Sequence, residues 1–213
     1  MCSEKVATKI AKKIALIGAS GQIGSRILDE ALQRGHVVTG IVRNADRLPD
    51  HERLQPAAAD IADVPTAVSH VRDADVLVVS IRWQDNADQV LQLARQANVR
   101  RLIAIVGAGS LEVRPGVRVI DAPEFPPAWR PGAEQATAAL DTLRREASLD
   151  WVAVSPSWSV AAGERTGKFR IGADQLLRDE RGDSRISRED FAVAVLNEIE
   201  QPRHHRQRIT VGY

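Results

Sequence analysis

The chain has 213 residues, a formal net charge of +1, 44% apolar residues and 27% charged residues. That composition suits one soluble α/β domain with a full core, and its near-neutral charge gives no reason to expect a nucleic-acid or membrane partner. Cys2 is the one cysteine, which excludes an intrachain disulfide framework and a cysteine zinc cluster, and a reducing cytoplasm is the expected compartment.

The basic N-terminus lacks a continuous apolar stretch behind it, so it does not read as a secretory signal. The longest apolar runs, such as residues 76–79, are too short to span a bilayer. Residues 13–19 read as a short buried strand closed by glycines. Residues 23–34 follow as a helix, with Ile23, Ile27, Leu28, Ala31 and Leu32 on one face and Gly35 as its stop. Strands are predicted at 37–42, weakly at 57–60, and at 75–80, 101–106 and 151–155. Helices are predicted at 64–71, 86–96 and 134–146. Residues 111–132, rich in Pro, Gly and aromatics, read as a long ordered loop. Residues 187–200 return to helix, with Ser187 as N-cap and Asp190 in the first turn. Residues 209–213 are expected to add a final edge strand. This alternation predicts an α/β fold with a doubly wound parallel sheet of the Rossmann type. Residues 1–213 are expected to form a single domain, with the C-terminal third as a small substrate-side extension.

The strongest motif is Gly18-Ala19-Ser20-Gly21-Gln22-Ile23-Gly24, between the first strand and the first helix. A chain leaving a strand there must turn sharply and present backbone N–H groups to an anion. Glycines permit that approach, and the helix N-terminus favours a pyrophosphate. Ser20 can add a hydroxyl donor. Dinucleotide enzymes that use NAD commonly place an acid about 20 residues further on, at the tip of the second strand. Here the tip reads Ile41-Val42-Arg43-Asn44. Arg43, with Arg47 in support, is the partner type for a 2′-phosphate, so NADP(H) is expected over NAD(H). Asp60, followed by Ile61, is a candidate for the adenine edge or for a simple turn. Ser80 and Ile81 end a strand where ligands of this fold bind.

These residues, with Val106-Gly107-Ala108-Gly109-Ser110-Leu111, Asp150-Trp151 through Ser155-Pro156, and Gly163-Glu164-Arg165-Thr166-Gly167, make the chain similar to the atypical short-chain dehydrogenases/reductases. Within them it most resembles the small NAD(P)H-binding proteins grouped with NmrA-like and biliverdin reductase B/flavin reductase-like members. The resemblance implies a monomer or homodimer, with Gly107 and Ser110 beside the nicotinamide and Pro156, Ser157 and Trp158 closing over it. It also implies Arg165 and Phe169 near the substrate mouth.

One departure matters. Many relatives use a Tyr-x-x-x-Lys pair for proton transfer. The only tyrosine here is Tyr213, and the only lysines are Lys5, Lys9, Lys12, Lys13 and Lys168. Hydride delivery to a flavin, quinone or similar small-molecule acceptor, which delocalises the incoming charge, fits a site without that pair. Ser110 is the catalytic candidate, as a hydrogen-bond donor to the acceptor or as a structural cap. The rival readings are a non-catalytic NADP(H) sensor and, more weakly, an epimerase or dehydratase. Trp83, Phe125 and Trp129 are candidate substrate-side residues. Phe125 and Trp129, with Asp121 and Glu124, belong either to a lid or to an ordinary loop packed by its aromatics. The histidines, His204-His205 included, read as structural or surface residues, so no metal is expected. Gly109-Ser110-Leu111-Glu112 lacks the second glycine of a hydrolase elbow.

Overall fold

The computed structural model describes residues 11–213, so Cys2, Lys5 and Lys9 lie outside the described residues. The chain runs β1 (Lys13–Ile17), α1 (Gly24–Gln33), β2 (Val37–Val42), β3 (Leu54–Ala58), α2 (Val64–Val71), β4 (Val76–Val79), α3 (Ala87–Gln96) and β5 (Arg101–Ile105). A hairpin of β6 (Glu112–Arg114) and β7 (Val117–Arg118) follows, then α4 (Arg130–Arg145), β8 (Asp150–Pro156) and β9 (Ser159–Ala161). The chain ends with β10 (Arg170–Gly172), β11 (Arg185–Ser187), α5 (Arg188–Glu200) and β12 (Gln207–Gly212).

The main sheet has the order β10-β12-β8-β5-β4-β1-β2-β3. Every neighbouring pair from β3 to β12 is parallel, and β10 alone runs antiparallel. Its central strands are apolar on both faces because helices cover both. On one face, α2, α3 and α4 bury Val71, Val90, Leu93 and Leu140 against Leu77, Leu102 and Trp151. On the other, α1 and α5 bury Ile27, Leu28, Phe191 and Val195 against Leu16, Val78 and Ile103. Each such side chain contributes about 1.5–3 kcal/mol. The result is the expected doubly wound Rossmann-type domain. Its strand order reverses between β1 and β4, which opens a crevice at their carboxyl ends.

Several boundaries differ from the sequence expectation. β3 starts at Leu54 and carries Pro56, which a sheet edge accommodates because one side of the strand needs no ladder donor. α4 starts at Arg130, with Pro131 in its first turn, where a missing N–H costs nothing. β12 is not an edge strand: it lies between β8 and β10. The long loop contains the β6–β7 hairpin and two short 3₁₀ turns, Val119–Asp121 and Pro127–Trp129.

Candidate functional site

The crevice is shaped by Gly18 and Gly24, whose positions leave no room for side chains, and by Gly21, where the fit is only tight. Gly18 leaves β1 with φ +82°, and its N–H donates to the Ile41 carbonyl at 2.9 Å. A Cβ on Gly18 would lie 2.1 Å from the Ser80 carbonyl oxygen, and one on Gly24 would lie 2.0 Å from the Gly18 oxygen. At Gly21 the nearest contact would be 3.2 Å, again with Gly18. This packing brings the first turn of α1 up against the crevice. No side chain caps that helix and no acid stands in its first turn. The Ser25 N–H donates to the Gly21 carbonyl at 2.9 Å, and the positive dipole end of the helix points towards an anion in the crevice.

Gly18, Ser20, Gly21 and Gln22 line a cavity of about 560 Å³ together with Arg43, Arg47, Asp60, Ile61, Ser80 and Ile81. Most of the residues expected to hold the cofactor are thus gathered in one place. Arg43 and Arg47 are exposed and make no ion pair among the described residues. The Gln22 side chain is held by Arg188 Nη2, which donates to its Oε1 at 2.8 Å. Asp60 accepts from the Ala62 N–H at 2.9 Å, so it shapes the turn after β3 while its carboxylate stands at the crevice. Ile23 and Gly24 do not line it: Ile23 packs on the α1–α5 core and Gly24 is buried at the start of α1. The glycine cradle, the uncapped helix and the unpaired guanidiniums fit a dinucleotide.

Arg82, Gln84 and Asn86 also line the crevice, beyond the residues that the sequence pattern points to. Their signal was their place directly after Ser80-Ile81, where β4 releases the chain.

The residues expected around the nicotinamide are held differently. Gly107 and Gly109 allow the loop after β5 to approach α4: a Cβ on Gly109 would stand 2.9 Å from Ala133 Cβ. Ser110 Oγ accepts from Arg208 Nη1 at 3.2 Å. Burial pushes the Arg208 guanidinium below its usual range, against the opposing pull of Asp174. Pro156 is buried at the end of β8, and Ser157 Oγ donates to the Val211 carbonyl at 2.9 Å. Ser110 and Ser157 therefore have structural partners, and neither lines the crevice. Trp158 is half-buried and meets Phe125 edge to face, with ring centroids 5.8 Å apart. Trp158 and Glu124 line a separate cavity of about 820 Å³, bounded by Arg114, Arg178 and Arg185.

Three residues expected on the substrate side are engaged elsewhere in the fold. Trp83 is buried in the core, its Nε1 donates to the Ile105 carbonyl at 2.8 Å, and it does not line the crevice. Arg165 is not brought to either cavity: Nε and Nη2 both donate to Glu30 of α1 at 2.7 Å. Burial opposes ionisation of Glu30, but the hydrogen bonds from Arg165 and Arg34 outweigh it and lower its pKa. Phe169 packs on the α1–α5 core. In the long loop, Phe125 joins a small cluster with Leu111, Ile120 and Leu176, whereas Trp129 remains exposed. Asp121 pairs with Arg118 at 2.7 Å. His204 and His205 face Glu198 and Asp150. Tyr213 Oη donates to the buried Asp190 carboxylate at 2.9 Å, so the one phenol of the chain is a structural group.

Among the described residues no helix is long and apolar enough to cross a membrane. A family model described as NAD(P)H-binding matches residues 18–202. A crystal structure of a candidate exported protein from Burkholderia pseudomallei is 40% identical, with a TM-score of 0.88 over 95% of this chain and 100% of that one. A candidate epimerase from Bacteroides thetaiotaomicron is 36% identical, with a TM-score of 0.91 over 96% of this chain and 98% of its own. A candidate NADH-flavin reductase from Streptococcus pneumoniae is 28% identical, with a TM-score of 0.81 over 95% of this chain and 99% of its own.

Proposed function

The chain belongs to the NAD(P)H-binding family, and from that premise we propose that it is an NADPH-dependent reductase of a small flavin, quinone or similar aromatic acceptor. The observation that carries this reading is the crevice itself. Its glycine wall suits a pyrophosphate, and Arg43 and Arg47 stand without carboxylate partners at the tip of β2, where a 2′-phosphate would reach them. Gly18, Gly21, Arg43 and Arg47 would hold NADPH, which would supply the hydride, and solvent would supply the single proton that completes two-electron reduction of the acceptor. The protein's part would be to hold the cofactor and position the acceptor beside it. No Tyr-Lys pair is present, which favours an acceptor that stabilises the incoming charge without a dedicated acid. The fold-level likeness to a candidate flavin reductase agrees with this.

The test is oxidation of NADPH, followed spectroscopically, with menadione or FMN as acceptor. Turnover that is lost in Arg43→Ala at limiting NADPH supports the reading. No turnover, with NADP+ and NADPH bound at unequal affinity, would instead favour a redox sensor, since only differential affinity shifts a conformational equilibrium.

A further inference from the structure

Trp129 is the most exposed large apolar side chain among the described residues, at 58% of its free accessibility. It lines a cavity of about 410 Å³ with Ala128, Pro131, Gly132 and Gln135. That cavity shares Arg82 and Gln84 with the dinucleotide crevice, so the two are contiguous. The larger cavity at Trp158 shares no residue with the crevice. An acceptor of hydride must touch the cofactor, so contiguity outweighs size.

The chemistry of the smaller cavity is one-sided. Arg82 is exposed and makes no hydrogen bond or ion pair among the described residues, and no acidic side chain lines the wall. The chain beside Trp129 is anchored. Arg130, next to Trp129, donates from Nη2 to the Ile120 carbonyl at 2.9 Å and lies 5.9 Å from the centre of the Phe125 ring. α4 begins here with no capping side chain and no acid in its first turn, which adds a favourable field for negative charge.

We infer that the cavity between Trp129 and Arg82 is the acceptor subsite and that it selects planar aromatic acceptors carrying an anionic group. The ring system stacks on Trp129 and the anion meets Arg82 across the mouth of the crevice. This rests on the reductase reading and names its substrate class.

The test uses two quinones that differ in charge, menadione and a naphthoquinone sulfonate, offered to NADP+-loaded full-length protein. Binding is read by calorimetry and location by tryptophan quenching. The sulfonate is expected to bind about tenfold more tightly than menadione, and Arg82→Ala to abolish most of that preference while Arg82→Lys keeps part of it. Quenching is expected to vanish in Trp129→Phe and to persist in Trp158→Phe. A preference unchanged in Arg82→Ala overturns the inference. So does quenching that persists in Trp129→Phe and disappears in Trp158→Phe, which would place the acceptor in the larger cavity. NADPH oxidation is scored separately. Binding at Trp129 without turnover of either quinone removes the reductase reading and leaves the subsite. Turnover with quenching at Trp158 does the reverse.

Discussion

Gly24 lies so close over Gly18 that a Cβ on Gly24 would stand 2.0 Å from the Gly18 carbonyl oxygen. The obstacle is backbone, which cannot rotate aside as a side chain can. Gly24→Ala is therefore expected to push α1 off the loop, costing about 1–3 kcal/mol of stability, and to abolish dinucleotide binding. Gly21→Ala meets its nearest atom at 3.2 Å and is expected to keep the fold within about 1 kcal/mol. Thermal melts and NADPH titration of both variants check this. Wild-type binding by Gly24→Ala would show that the tight approach serves packing alone.

Arg43 is exposed at the carboxyl end of β2 and lines the crevice without an ion-pair partner among the described residues. A charge-assisted hydrogen bond contributes about 1.5–3 kcal/mol, so Arg43→Ala is expected to weaken NADPH binding about 10- to 100-fold. NADH lacks the 2′-phosphate and should change much less. Calorimetric titration with both cofactors decides. An equal loss for both would move Arg43 from the phosphate to a part common to the two.

The crevice was legible in the sequence because local pattern determines it. A strand, a glycine turn and a helix in succession place Gly18, Ser20 and Gly21. The tips of the next strands then bring Arg43, Asp60 and Ser80 to the same edge by topology alone. What escaped depends on partners distant along the chain. Ser110 is engaged by Arg208 from β12, and Arg165 is paired with Glu30 of α1. No spacing rule connects those positions. After β4 the chain places Arg82 at the crevice and buries Trp83. Residue type alone favours Trp83 over Arg82 as a ligand contact, whereas the direction in which each side chain points decides it. β10 leaves no sequence signal because Arg170, Ile171 and Gly172 are too few to show a period.

Glu146 follows α4 with a buried side chain. Burial alone would raise its pKa. The Ser148 hydroxyl and N–H, the Leu149 N–H and Arg95 outweigh that and lower it to about 2. Because the folded value lies below the unfolded one, the stabilisation is complete above the ordinary carboxylate range. It is lost as pH falls from there towards about 2. The unscreened limit is about 3 kcal/mol, and solvent screening reduces it to about 1–2 kcal/mol. Urea unfolding of Glu146→Gln is expected to show that deficit at pH 7 and to converge on the wild type near pH 2–3. A deficit of constant size across this range would assign the effect to shape instead of charge.

Arg101 on β5 donates from Nη1 to Asp150 of β8 and from Nη2 to Glu198 of α5, both at 2.6 Å. Arg101 and Glu198 are buried, and the Arg101 Nε has no hydrogen-bond partner among the described residues. Glu198 Oε1 also accepts from the N–H groups of Arg203 and His204 at 3.0 Å, which fixes the turn into β12. Removing the cation alone leaves a carboxylate in the interior, so Arg101→Met is expected to cost about 3–5 kcal/mol. Replacing both partners removes the stranded charge and also the unsatisfied Nε. Arg101→Met combined with Glu198→Leu is therefore expected to recover more than half of that loss, despite the two backbone N–H groups and the His204 ring nitrogen it releases. Urea unfolding at pH 7 of the two single variants and the double variant measures the coupling. Additive losses in the double variant would mean that the backbone contacts of Glu198, and not its charge, hold α5 to the sheet.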